Sequence, residues 1–250
     1  MTATPRTALV VGAAGGICAE LSRALARRGD RLVLLDSDGA ALKELAGQVA
    51  ELTEVRTLNV DITDVRSTEE QLATLSGGWA PQILVNGVGG DTRVAPVTDL
   101  DETFLSESLA RNVVPVLTAI RLCVPAMRRA GYGRVVNFSS AGGRTYSHFS
   151  NAAYVAAKAA VVGLTKQVAY ELAPFRVTVN AVAHGPIATE RIATAWERRP
   201  AAEREQVLSK IPVGRLGTVA EAVGSVLYLC SEEAGYTTGT VIDVNGGLLI

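Results

Sequence analysis

Histidine and cysteine are scarce in this 250-residue chain, which holds only His148 and His184 and the widely separated Cys18, Cys123 and Cys230. Odd in number and without Cys-x-x-Cys spacing, these cysteines suggest neither a disulfide framework nor a zinc site, and metal catalysis is not expected. Charge of one sign is also lacking: 24 Lys and Arg stand interspersed with 25 Asp and Glu, for a net charge of −1. Without a basic field, nucleic acid is not an expected partner. No apolar run approaches the ~18 residues of a membrane span. The start, Met1-Thr2-Ala3-Thr4-Pro5-Arg6-Thr7, shows no charged segment leading into a long apolar stretch, so a cytoplasmic protein with no membrane partner is expected. Linkers, repeats and low-complexity tracts are missing too, which argues for one domain over residues 1–250.

What the chain does have is an alternation of short β-rich apolar runs with longer helical patterns. Residues 7–11, 31–35, 55–60, 82–85, 134–138, 176–182 and 240–244 read as strands. Runs such as Ala8-Leu9-Val10-Val11 lack polar alternation, as strands covered on both faces do. This predicts an α/β fold with a parallel sheet of about seven strands and helices on both faces. Between the first two strands, Ile17, Leu21 and Leu25 recur every four residues, and Arg27-Arg28-Gly29 ends that helix with cations and a glycine cap. The stretch 187–212, rich in Arg and Glu and containing Trp196, follows a glycine-proline turn. It suits a helical flap over a site.

Two segments carry chemistry. Tyr154 and Lys158 are four residues apart, so a helix sets them on one face, and Ser140 lies fourteen residues upstream. A cation beside a phenol favours phenolate, bringing a group that titrates near pH ~10 closer to acid–base service at neutral pH. Ser140 would then hold a substrate oxygen. Upstream, Val11-Gly12-Ala13-Ala14-Gly15-Gly16-Ile17-Cys18 follows the first strand directly. Such a turn lets a pyrophosphate reach the backbone at a helix N-terminus. Asp36 closes the second strand twenty residues after Gly16, where a carboxylate accepts ribose hydroxyls and repels a 2′-phosphate. Neither Ser37 nor the turn supplies a compensating cation, so NAD(H) is predicted over NADP(H).

Taken in this order, the glycine turn, Asp36, Ser140, Tyr154 and Lys158 resemble the short-chain dehydrogenase/reductase family, from Thr7 to Gly247. Further matches are Asp61-Ile62, Asn86-Gly87-Val88-Gly89, Asn112, Asn180 and Gly185-Pro186-Ile187-Ala188-Thr189. The resemblance implies a single-domain, Rossmann-like doubly wound fold. It implies that Gly12, Gly15, Gly16 and Ile17 form the cofactor turn, that Asp61 beside Ile62 binds the adenine amine, and that Asn86, Gly87 and Gly89 support the cofactor wall. Ile187 and Thr189 would hold the carboxamide, and Asn112 would complete a tetrad with Ser140, Tyr154 and Lys158. Lys158 would depress the Tyr154 pKa and hold the nicotinamide ribose; Asn112 would position a water. The activity implied is NAD-dependent interconversion of a secondary alcohol and a ketone. A 3-oxoacyl-thioester reductase is the alternative, and a non-catalytic NAD-sensing or structural homologue a third. The helix at 152–172 is apolar around much of its circumference, and with relatives as guide a homotetramer is expected, a dimer next.

Several positions depart from the family pattern: Val11 for threonine, Cys18 for the third glycine, Gly87 for the second asparagine, His184 for proline and Asn245 for the late aspartate. The segment from Ser140 to Tyr154 is one residue longer than usual. Cys18 reads as a small packing residue, with oxidation-gated cofactor binding as the rival. His184 reads as a structural turn histidine ahead of a substrate contact. A substrate wall is expected from 90–94, 141–149 and 187–196, which carry Arg93, Arg144, Arg191, Tyr146, Phe149 and Trp196.

Overall fold

The computed structural model describes residues 5–91 and 93–249. Strands and helices alternate: β1 (Thr7–Val11), α1 (Gly16–Arg28), β2 (Arg31–Asp36), α2 (Gly39–Val49), β3 (Val55–Asn59), α3 (Val65–Ala73) and β4 (Ile83–Asn86). There follow α4 (Glu102–Asn112), α5 (Val114–Ala130), β5 (Gly133–Phe138), α6 (Ala152–Leu172), β6 (Val177–His184), α7 (Glu190–Glu197), α8 (Ala201–Leu208), α9 (Val219–Leu229) and β7 (Val241–Val244). Every strand lies within two residues of its sequence reading. The largest shift is at β6, which runs on to His184, so this histidine ends a strand and does not stand in a turn.

The seven strands form one parallel sheet in the order β3-β2-β1-β4-β5-β6-β7. Alternate residues of β1 feed opposite cores, as the period of two requires. Ala8 and Val10 pack with Leu21 and Leu25 of α1, Leu42 of α2 and Val226 of α9. Leu9 and Val11 pack with Leu72 of α3, Val116 and Ile120 of α5 and Val161 of α6. Helices therefore cover both faces. Taken together, α4 and α5 (Glu102–Ala130) are long and apolar enough by composition to cross a bilayer, against the sequence expectation. Their apolar side is used otherwise: Val116, Ala119, Ile120, Cys123 and Met127 of α5 are buried against the sheet.

Because β2 lies on one side of β1 and β4 on the other, the order reverses at β1, opening a crevice beyond the carboxyl ends of these strands. Register places Val11 beside Leu35 and Asn86 there. The glycine turn, Asp36 and the segment 86–89 thus meet at one end of the sheet.

Candidate active site

At the nucleotide end, Gly12 takes φ +75°, and a side chain there would press on the Gly87 carbonyl at 3.2 Å. Gly15 caps α1 without any side-chain hydrogen bond, so the first amides of the helix are left for another acceptor. An uncapped amide cluster of this kind fits a pyrophosphate. Gly16 packs against Thr189, whose Cβ would stand 3.0 Å from a side chain at position 16. Half-buried Ile17 follows in the first turn. Asp36 is fixed beside the turn by two amides: Ala14 donates to Oδ2 at 2.9 Å and Asp38 to Oδ1 at 3.0 Å. Asp61 turns its chain by accepting from the Thr63 amide at 2.9 Å, and Ile62 is buried.

Of these residues, Gly12, Asp36, Asp61 and Ile62 border a cleft of about 150 Å³, which Ser37, Val88, Gly89 and Pro115 also line. The lining also includes Arg111, a cation that motif reading passes over because it belongs to no motif. Asn86 is fully buried and donates to Asn137 Oδ1 at 2.8 Å; Asn137 donates in turn to Thr165 Oγ1 at 2.9 Å. This chain ties β4 to β5 and α6. Sequence reading misses Asn137 and Thr165, because nothing local reveals a partner 28 residues away.

At the chemical end, Asn151 caps α6 by accepting from the Tyr154 amide at 3.0 Å, which sets the phase of the helix. Lys158 Nζ lies 5.9 Å from the Tyr154 ring centroid. It is buried and donates to the Phe138 carbonyl at 2.9 Å and the Val88 carbonyl at 3.4 Å. Burial pulls its pKa down to about 8. The Tyr154 phenol moves upward, because burial outweighs the opposing effects of the Ser140 hydroxyl and the Arg191 charge, and Asp91 pushes it further up. This corrects the expectation that Lys158 lowers it. The amine is itself desolvated and gives its hydrogen bonds to backbone carbonyls.

Ser140 stands at the end of the β5 connection and accepts from the Gly142 amide at 3.2 Å. Asn112 ends α4, as its poor helix propensity and nearby Pro115 suggest, and is fully buried. It accepts from the Gly90 amide at 2.9 Å and donates to the Ser108 carbonyl at 3.0 Å. Gly89, at φ +100°, lies between the tetrad members: a side chain there would collide with Asn112 Oδ1 and come within 3.3 Å of Lys158 Nζ. The four residues are therefore brought to one end of the central strands.

Ile187 is buried and bridges to Gly217, and Thr189 begins α7. The stretch 187–212 contains α7 and α8. Of the rim arginines, Arg93 pairs with Asp91 at 2.8 Å and lies over Phe104, and Arg144 pairs with Asp243 at 3.2 Å. Thr92 falls outside the described residues. Cys18 is buried and its thiol is pushed up to about 12 by burial and then by Asp36, which fits packing and leaves little thiolate for oxidation. Its sulfur occupies the space where a side chain on Gly87 would go. His184 is buried edge-on to Phe138 at 4.8 Å between ring centroids, and its Nε2 has no hydrogen-bond partner.

The sequence profile of the family described as Enoyl-(Acyl carrier protein) reductase matches residues 12–249. A 3-oxoacyl-(acyl-carrier-protein) reductase of Vibrio harveyi is 34% identical over 97% of this chain and 97% of its own length. Galactitol 2-dehydrogenase (L-tagatose-forming) of Cereibacter sphaeroides is also 34% identical, over 97% of this chain and 94% of its own. Among solved structures, a 3-oxoacyl-(acyl-carrier-protein) reductase of Brucella melitensis with bound NAD superposes with a TM-score of 0.88 at 29% identity, covering 100% of this chain and 93% of that one.

Proposed function

The chain belongs to the short-chain dehydrogenase/reductase family and is an oxidoreductase, and from this premise we propose that it interconverts a secondary alcohol and a ketone with NAD(H). The observation that carries the reading is the convergence of Asn112, Ser140, Tyr154 and Lys158 beside an uncapped glycine turn that Asp36 borders. Bound NAD supplies a hydride acceptor at the nicotinamide ring. The protein supplies alignment and a path for the proton.

In the oxidative direction, Tyr154 takes the substrate hydroxyl proton while Ser140 holds the same oxygen. The raised pKa keeps the phenol protonated in the cofactor-free protein, so Tyr154 must pass its own proton on, by way of Lys158, before it can take one from the substrate. Lys158 titrates close enough to neutral pH to exchange protons. Asn112 fixes the Gly90 loop against which Lys158 lies and, in this reading, seats the water that links the amine to solvent. Ile187 and Thr189 hold the carboxamide, and Thr189 also closes over Gly16.

A 340 nm assay with NAD⁺ against secondary alcohols, sugars, hydroxy acids and steroids, and with NADH against ketones and acetoacetyl thioesters, tests the assignment. Tyr154→Phe should lower kcat by roughly 10²–10⁴-fold with NADH binding retained. Near-wild-type turnover in that variant refutes the role, and a kcat/KM preference for NADPH refutes the cofactor. The second reading, a 3-oxoacyl-thioester reductase, is favoured by the Vibrio relative. Turnover of the thioester alone would select it.

The proposal includes a homotetramer in the cytoplasm. Three buried, unpaired thiols suit a reducing compartment. Ala152, Ala156, Ala159 and Gly163 form an exposed small-residue edge on α6, and Leu105 and Leu117 are exposed on α4 and α5. These offer surface for a second copy. Light scattering should give four chains per particle; a monomer contradicts it.

A further inference from the structure

We propose that Arg111 is a cofactor-binding residue that lays its guanidinium on the adenine of the bound dinucleotide, an assignment that rests on the NAD(H) reading above. Its position lies outside the residues that the family resemblance supplies.

The cleft beyond β1 and β2 has carbon walls at Val60, Ile62, Val88 and Pro115, and carboxylates at Asp36 and Asp61. A flat, weakly polar ring suits such walls. Arg111 is the only cation among the described lining residues. The dinucleotide brings two negative phosphate charges into a site already bordered by two carboxylates, and the glycine turn offers amides but no cationic side chain. A guanidinium at the adenosine end offsets that charge and stacks on a π face, which an ammonium does less well.

The mounting of Arg111 supports this. It sits in the last turn of α4, beside Asn112, which is pinned by the Gly90 amide and the Ser108 carbonyl. Pro115, which also lines the cleft, lies in the first turn of the next helix. The side chain is half exposed, and its one acid partner, Glu107, stands 3.8 Å away, at the outer limit of an ion pair. Such a contact is weak and easily given up. Elsewhere in this chain arginines already lie on rings: Arg6 over Tyr132, Arg56 over Trp79 and Arg128 over Phe175, at 4.0–4.2 Å.

Calorimetry with ADP-ribose and nicotinamide mononucleotide, and NADH and NADPH fluorescence, should be compared for wild type, Arg111→Leu and Arg111→Lys. Arg111→Leu should weaken NADH and ADP-ribose alike by about three- to thirtyfold, the range of a cation–π contact. Mononucleotide binding and thermal midpoint should not move, and Arg111→Lys should fall between. Unchanged ADP-ribose affinity in Arg111→Leu overturns the assignment. So does a loss confined to NADPH, which would make Arg111 a reader of the 2′-phosphate. Wild-type protein that binds neither NADH nor ADP-ribose overturns the cofactor reading itself, and this inference with it; a normal wild type with an indifferent variant overturns the inference alone.

Discussion

Cys18 and Gly87 look like two separate departures when read along the sequence, one on a helix and one after a strand. In space they are one exchange of volume. The Cys18 sulfur fills the room that a side chain at position 87 would need, and that room is further bounded by the Val11 carbonyl at 3.2 Å and Phe138 at 3.5 Å. Gly87→Ala should therefore cost about 1–3 kcal/mol by overpacking, and much of that cost should vanish when Cys18→Gly is made with it. Urea denaturation of the two single variants and the double variant measures the coupling, and an equal cost in both backgrounds would show that the two sites are independent. Such a pair is invisible in the sequence, because the 68 positions between them carry no record of the contact. Tyr154 shows a different limit. Its spacing from Lys158 was legible, but the cap at Asn151 that sets the helix and the direction of its pKa were not. Spacing reports proximity; burial, which decides the sign here, depends on what the rest of the chain places overhead.

Elements were legible wherever a residue type states its backbone preference. Gly29 ends α1 in the left-handed region at φ +92°, as its position after Arg27-Arg28 predicts. Asn112 and Pro115 mark the break between α4 and α5. The junction between α6 and β6 gives no such sign: Arg176 takes φ +59°, alone among the described non-glycine residues, where a glycine would have announced the turn. A left-handed conformation costs an ordinary residue roughly 1–2 kcal/mol, and a β-branched one more. Arg176→Val should accordingly lower stability by a further ~1 kcal/mol or more. Arg176→Gly should match or exceed wild type, because relief of strain offsets the added freedom of the unfolded chain. Thermal unfolding of the two variants distinguishes this from a side-chain effect: if both lose the same stability, the arginine contacts matter and its backbone does not.

Across the molecule, the number and parallel arrangement of the strands followed from apolar runs alternating with helical patterns, whereas their lateral order depends on crossovers that no single run encodes. The same sheet that assembles the site also places titratable groups where water cannot reach them, and this links stability to pH. His184, at the end of β6, is held down to about 4, chiefly by burial and further by the Lys158 charge, against the partial opposition of the Ala222 backbone. Its unfolded value is near 6.5, so above that pH both states are neutral and the group is indifferent. As pH falls from 6.5 to 4 the unfolded chain takes up a proton that the folded chain refuses, and stability drops by as much as about 3 kcal/mol. Below 4 this contribution levels off. Carboxylates titrate in the same acid range, so the test is a difference: His184→Leu, which keeps an apolar side chain against Phe138, should unfold in urea with a shallower loss of stability between pH 6.5 and 4 than wild type. Parallel curves for the two proteins would mean that the imidazole finds a proton acceptor or solvent within the folded state, and that the buried, unpartnered Nε2 is not what sets its titration.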